Sequence, residues 1–256
     1  MTAELRLPSG FVLRTHEKLA STNDEAVRLA SAGAPTGLVV SAAEQSRGRG
    51  RHGRAWASPR GNLYASVVLR PDCAMTAAAQ LSLVASLALG DALARLGPPD
   101  LDLTLKWPND VLISGGKAAG VLLEGASEAD GRAAWVVIGT GVNIESCPED
   151  TPYPATCLAR EGFPPLSPQT ALEAYLEALD RWLDRWQRTG FSAVRQAWLG
   201  RAFRLGGEIR LRLERRELRG RFLDLSETGS LLLEQADGRR REITAGEVLE
   251  LDPEDG

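Results

Sequence analysis

The stretch Ser46-Arg47-Gly48-Arg49-Gly50-Arg51-His52-Gly53-Arg54-Ala55-Trp56 alternates glycine with arginine and closes on a tryptophan. Glycine lets a backbone approach a ligand and turn N–H groups into one concavity, and guanidinium forks add charge and paired donors, so this composition suits an anion. On these residues alone that reading competes foremost with a solvated basic loop, and also with a nucleic-acid arm and a nucleotide phosphate loop. Its neighbours bear on the choice. Residues 38–43 (Leu-Val-Val-Ser-Ala-Ala) predict a buried strand that delivers Glu44 and Gln45 into the loop, and residues 62–69 read as a second strand. A loop held at both ends by strands is the usual placement of a ligand loop on a scaffold.

Before it, residues 11–19 form a short mixed segment, followed by Ser21-Thr22-Asn23-Asp24-Glu25 and the periodic apolar residues Ala26, Leu29 and Ala30. Thr22 with Glu25 three positions on reads as a capping box, and Gly33 as the helix stop. Capping accounts for these polar residues, and so does a polar ligand group at the positive end of the helix. After the loop, residues 76–96 predict one long apolar helix that packs across a sheet and stops at Gly97-Pro98-Pro99. Next comes a hairpin: a strand at 103–105, then Lys106-Trp107-Pro108-Asn109-Asp110, a strand at 111–113, a Ser114-Gly115-Gly116 turn and a return arm from Lys117 to Glu124. Lys106 and Lys117 are placed to reach one pocket, with Asp110 beside them. Residues 133–137 lead into Ile138-Gly139-Thr140-Gly141-Val142-Asn143-Ile144, where two glycines give a ligand room against the backbone.

Composition narrows the function classes. The chain has 256 residues, 43% hydrophobic and 25% charged, which is ordinary globular usage with room for a large domain and a small one. It shows no run of about 18 or more uncharged apolar residues, and Glu4 and Arg6 sit where a signal peptide would need its apolar core, so the expectation is a cytoplasmic protein with no membrane span. Three cysteines without a CxxC pair argue against a disulfide framework or a structural zinc site. With a net charge of −4, the arginine loop is a local basic spot on an acidic chain, which favours a small anion over a long polyanion.

The second half is proline-rich at Pro148, Pro152, Pro154, Pro164 and Pro165, which suggests a surface connection. Ser167-Pro168 then opens a helix whose stripe of Leu172, Tyr175, Leu176, Leu179, Trp182, Leu183 and Trp186 faces a core. Residues 191–199 predict a second short helix. From Phe203 the pattern changes to short strands at 208–213, 218–225, 230–234 and 239–243, separated by turns, which reads as a small barrel with a basic turn at Arg215 and Arg216.

Taken in order, Ser-Thr-Asn, Gly-Arg-Gly-Arg-His-Gly-Arg-Ala-Trp, Lys-Trp-Pro-Asn-Asp, Gly-Lys-Ala-Ala-Gly-Val-Leu-Leu-Glu and Gly-Thr-Gly-Val-Asn-Ile resemble the motif series of the biotin protein ligases. The resemblance runs over residues 11–251. It implies an α+β fold: a mixed-sheet catalytic domain with helices packed against one face, class II synthetase-like, over residues 1–202, and an SH3-like β-barrel over 203–256. It also implies a two-step reaction, in which biotin and MgATP give biotinyl-5′-adenylate and the biotinyl group then passes to one lysine of a biotin carboxyl carrier protein. By this resemblance Ser21, Thr22, Asn23, Gln45, Gly48, Arg49, Gly50, Arg51 and Lys106 bind biotin. Arg49, Arg51, Arg54, Trp56, Asn109, Lys117 and Asn143 bind ATP, with Asn143 reading adenine. Lys106 and Arg49 serve catalysis, and Asp110 and Lys117 stand near the second step. The Mg²⁺ ligands are unassigned.

The chain departs from the family at His52, where arginine is frequent, and at Ala55, where a basic residue is frequent, so its loop carries less charge. Members that double as repressors carry an N-terminal helix-turn-helix domain; here the motifs begin at Ser21, and the expectation is no specific DNA binding. The family's sheet-edge pairing allows a homodimer. Two alternatives fit parts of the pattern: a lipoate or octanoyl transferase of related fold, and a non-catalytic regulator that keeps the pocket. The arginine loop together with Lys-Trp-Pro-Asn-Asp favours the biotin branch, and Lys106 with an intact loop favours an enzyme.

Overall fold

The computed structural model describes residues 6–151, 153–213 and 216–249, and among them the strands form two sheets. The first is built by β1 (Val12–His16), β2 (Leu38–Ala42), β3 (Leu63–Leu69), β4 (Leu103–Lys106), β5 (Asp110–Ile113), β6 (Gly116–Ser127) and β7 (Ala133–Val142), in the order β1-β2-β3-β7-β6-β5-β4. The β1–β2 pair is parallel and every other pair is antiparallel, so the sheet is mixed.

Side-chain alternation explains how both faces are covered. Val39, Val67, Val136 and Ile138 point to one face, where α3 (Leu81–Leu96) and α4 (Pro168–Thr189) pack. Leu38, Val40, Val68 and Val137 point to the other, where α1 (Thr22–Ser31) lays Ala26 and Ala30 on them. The expectation of helices on one face therefore needs correction. All seven residues of β3 are buried, and a strand apolar on both sides has to be covered on both sides.

Local chemistry shifts several other boundaries. Helix α1 is capped by Ser21, whose hydroxyl accepts from the Asp24 N–H at 3.3 Å, so the cap sits one residue before the expected Thr22. Glu25 pairs with Arg28 instead of closing a capping box. The stop is as expected, with Gly33 at φ +91° just beyond Ala32. The single helix expected at 76–96 is two, α2 (Met75–Ala78) and α3, split by a tightened turn at Ala79 and Gln80 with ψ of −26° and −21°. Gln80 is held there from two sides: its amide nitrogen donates to the Glu227 carbonyl and its oxygen accepts from Trp186 Nε1 at 2.8 Å. By composition residues 75–96 are apolar enough to cross a membrane, but they form the buried centre of this fold. The hairpin turn is Ser114-Gly115, both at positive φ, and Gly116 already belongs to β6.

Helix α4 starts at Pro168 with Ser167 as its cap, and α5 (Phe191–Leu199) follows, both as the sequence predicts. The second sheet comprises β8 (Glu208–Arg212), β9 (Glu217–Leu225), β10 (Leu231–Glu234), β11 (Arg240–Ile243) and β12 (Glu247–Leu249), ordered β11-β10-β9-β8-β12. Four of these strands match expectation. The fifth, β12, pairs with β8 and was missed because three residues carry too little periodicity. This SH3-like unit is not a loose appendage: Ile209, Phe222, Leu231 and Val248 join the same core as α3, and Trp107 Nε1 donates to the Gly229 carbonyl at 3.1 Å. In the basic turn, Arg215 lies outside the described residues.

Candidate active site

A register row crosses five strands of the first sheet. Tyr64 of β3 stands opposite Gly141 of β7, which stands opposite Gly120 of β6, then Asp110 of β5 and Lys106 of β4. One step along, Ser66, Gly139 and Leu122 form a second row. Both rows lie on the α1 face, and all of their residues except Ser66 line a cavity of about 220 Å³. The register skips Ala118 where β6 meets β5, and this bulge turns Lys117 to the same cavity.

The glycines of β7 have a different use from the one expected. A Cβ on Gly139 would come within 2.1 Å of Asn23 Oδ1, and one on Gly141 within 2.6 Å of the Trp56 indole. The room they leave is taken by the protein's own Asn23 and Trp56, which are thereby sunk into the floor, and the ligand space lies above them.

At one end the cavity is lined by neutral polar groups in a fixed array. The Thr22 N–H and hydroxyl both donate to Gln45 Oε1, at 2.8 and 3.1 Å, and the Gln45 amide donates to Ser58. Ser66 lies within hydrogen-bond reach of both Thr22 Oγ1 and Asn23 Oδ1, and Asn23 Nδ2 donates to Glu124 at 2.6 Å. Each side chain is oriented by a neighbour, which preorganises the set.

Cations collect at the other end. Asp110 is ion-paired with Lys117 Nζ at 2.7 Å and stands 3.9 Å from Lys106 Nζ, with Lys106 only 5% exposed. The Lys117 ammonium lies 5.3 Å from the Trp56 ring centroid and that of Lys106 lies 5.1 Å from Tyr153. Asn109 is buried and donates to the Val121 carbonyl at 2.5 Å. Asn143 Nδ2 donates to the carbonyls of Lys117 and Thr156, which ties β6 to the proline-rich connection.

The glycine-arginine stretch is a short hairpin folded over this floor. Gly48 pairs with Trp56, Arg49 with Ala55 and Gly50 with Arg54, and the chain reverses through His52 at φ +56° and Gly53 at φ +71°. Arg49 meets Asp24 and Glu124; burial opposes its charge, but those carboxylates outweigh it and raise its pKa. Arg51 is half-buried, and this desolvation lowers its pKa against the pull of Asp110 and Glu247; it donates to Asn109 Oδ1 at 3.3 Å and the Gly246 carbonyl at 3.1 Å. Arg54 donates to both oxygens of Glu247, at 2.7 and 2.6 Å, and to the Tyr153 hydroxyl at 2.5 Å. Burial pushes Glu247 up, but hydrogen bonds from Arg54 and Tyr153 prevail and hold it at about 2. Burial, then Glu247, raises Tyr153.

Thus all but one of the residues expected at the site line a single cavity. Gly48 is not in its lining, and a Cβ there would strike Ser58 Oγ at 2.4 Å and the Trp56 carbonyl at 2.6 Å, so only glycine fits the position. Among the wall residues that the sequence does not signal, two carry charge or a hydroxyl into the cation cluster. Tyr153 lies in an irregular connection and Glu247 on the missed strand, and neither carries a local signal.

Neutral donors at one end and clustered cations at the other define a ligase-type site, where anionic substrates are brought together by charge. Residues 7–200 match the biotin/lipoate A/B protein ligase family, and residues 205–249 match the biotin protein ligase C-terminal domain. Among curated relatives, the biotin--[acetyl-CoA-carboxylase] ligase of Paracoccus denitrificans is 42% identical over 234 residues, covering 90% of this chain and 96% of the relative. The bifunctional ligase/repressor BirA of Bacillus subtilis is 32% identical, covering 90% and 71%. Among solved structures, the biotin protein ligase from Aquifex aeolicus in complex with biotin and ATP superposes with a TM-score of 0.78 at 29% identity, covering 93% of this chain and 97% of that one. The chain belongs to the biotin/lipoate A/B protein ligase family, on its biotin protein ligase branch.

Proposed function

We propose that this protein activates biotin with ATP to biotinyl-5′-adenylate and transfers the biotinyl group to a lysine of a biotin carboxyl carrier protein. The observation that carries the reading is the register row that places Lys106 and Asp110 beneath the arginine hairpin, with the Thr22–Gln45 array in the same cavity. A neutral ureido ring needs donors and acceptors in fixed positions, and Ser21, Thr22, Asn23 and Gln45 supply them. The biotin carboxylate then points toward the cations.

The chemistry needs no protein nucleophile, because the biotin carboxylate itself attacks the α-phosphate and pyrophosphate leaves. Two anions must be held together, so positioning and charge compensation supply the catalysis. Lys106, deeply buried, neutralises charge between the carboxylate and the α-phosphate. Arg49, Gly50 and Arg51 contact the adenylate from the hairpin, Arg54 faces the leaving phosphates, and Trp56 and Asn109 line the nucleotide side. Asn143, whose amide N–H groups are spent on backbone carbonyls, offers adenine its oxygen. In the second step the acceptor lysine, its proton received by Asp110 beside Lys117, attacks the acyl carbon of the mixed anhydride, the carbon–oxygen bond to the phosphate breaks and AMP leaves. The hairpin acts as a lid that keeps water from the mixed anhydride.

No group of three candidate metal ligands occurs among the described residues, and the cavity carboxylates Asp110 and Glu247 are committed to Lys117 and Arg54. The residues therefore do not form a magnesium cage. Mg²⁺ enters with ATP as part of the substrate, held by phosphate oxygens.

We assign residues 1–202 to the catalytic domain and 203–256 to the SH3-like one. The free thiols Cys73, Cys147 and Cys157 are consistent with a cytoplasmic location. The outer edge of β1, with Val12 62% exposed, supports pairing with a second copy as a homodimer. The net acidic charge supports the absence of specific DNA binding.

The test is pyrophosphate release on adding biotin and MgATP, followed by mass spectrometry of a carrier domain. One lysine should gain one biotinyl group only when ATP is present. Tight biotin binding without pyrophosphate release would make the protein a regulator, and lipoyl or octanoyl transfer in place of biotinyl would move it to the related branch.

A further inference from the structure

Tyr153 comes from the proline-rich connection and belongs to none of the site's motifs, yet it touches both cations at the phosphate end. The Lys106 ammonium lies 5.1 Å from its ring centroid and the Arg54 guanidinium 5.7 Å. Its hydroxyl accepts from Arg54 at 2.5 Å, and Arg54 in turn grips both oxygens of Glu247 on β12. A cation over a ring face within about 6 Å is attracted by the ring quadrupole, the more so where water is excluded, and Lys106 is 5% exposed. Lysine has a long stem with many rotamers, so a flat wall on one side and Asp110 3.9 Å away on the other narrow its choices.

We infer that Tyr153 is a positioning residue for adenylate formation, one side chain that sets Lys106 through its ring and Arg54 through its hydroxyl. This rests on the ligase reading above. The ring fixes the cation that compensates charge at the α-phosphate. The hydroxyl and Glu247 fix the cation that faces the leaving phosphates. The distance between the two is thereby set by one rigid group. Because the two contacts use different parts of the side chain, they separate experimentally.

The experiment compares the full-length protein with Tyr153→Phe and Tyr153→Leu in biotin- and MgATP-dependent pyrophosphate release, with biotin affinity measured by calorimetry. Tyr153→Phe keeps the ring and should raise the KM for ATP several-fold, about two- to fivefold, with kcat within about twofold of the parent. Tyr153→Leu loses the ring as well and should lower kcat about tenfold. Biotin affinity should fall far less than turnover in both, because the Thr22–Gln45 array still holds the biotin ring, and Phe should rescue kcat but not KM. Equal kcat in the Phe and Leu proteins overturns the inference, and so does a loss of biotin affinity parallel to the loss of turnover, which would mark a merely structural role. No pyrophosphate release from the unsubstituted protein overturns the ligase reading and this inference together, whereas an active parent with indifferent variants overturns this inference alone.

Discussion

Arg54 and Glu247 are joined by two hydrogen bonds, 2.7 and 2.6 Å long, that tie the glycine-arginine hairpin to the last strand of the small sheet. The SH3-like unit thus supplies part of the wall of the cavity, and the hairpin closes against it.

From that pair comes a pH-dependent prediction. Glu247 titrates near 2 in the fold against an ordinary 4.5, so the stabilisation is full above 4.5 and is lost as the pH falls toward 2. Glu247→Gln should cost about 1 kcal/mol at neutral pH, a value reduced because Arg54 is half exposed. The gap in thermal midpoint between the two proteins should close as the pH is lowered through that window. A gap that stays constant into acid would show that the carboxylate charge is not what the variant removed.

Lys106→Ala should reduce pyrophosphate release at least about a hundredfold, the size typical of losing a charge-stabilising group aimed at a transition state. Asp110 keeps Lys117 as its partner, so the fold should persist, which circular dichroism would confirm. Unchanged turnover would remove the main catalytic assignment.

Arg51 is anchored to Asn109 and to the Gly246 carbonyl, so it links the hairpin tip to both sheets. Arg51→Ala should loosen the lid. Free biotinyl-adenylate in the supernatant, followed by chromatography, should rise about tenfold or more, while wild-type retention of the intermediate would count against the role.

Gly141→Ala brings a methyl group to 2.6 Å from the Trp56 indole. Neither β7 nor the indole can yield without moving the cavity floor, so the variant should lose about 1–3 kcal/mol of stability. Biotin binding should weaken with it. Calorimetry showing parental affinity would mean that Trp56 has another place to go.

Local chemistry made much of this protein readable before its structure. Strands β2 and β3, the hairpin around Ser114-Gly115, the α4 and α5 boundaries and four of the five small-sheet strands follow from periodicity and turn residues within their own segments. The order of five motifs named the family, because a ligand loop, a buried lysine strand and a glycine-rich strand each keep a local signature. Contacts between distant segments carry no such signature. The covering of both sheet faces, the break at Gln80 and the use of Gly139 and Gly141 to house Asn23 and Trp56 depend on side chains that meet only after folding. Tyr153 and Glu247 sit in an irregular connection and on a three-residue strand, and their meaning comes from where Arg54 and Lys106 arrive. The sequence determined which chemical groups the site would hold; the tertiary structure decided which of them touch, because register and packing are properties of pairs of segments.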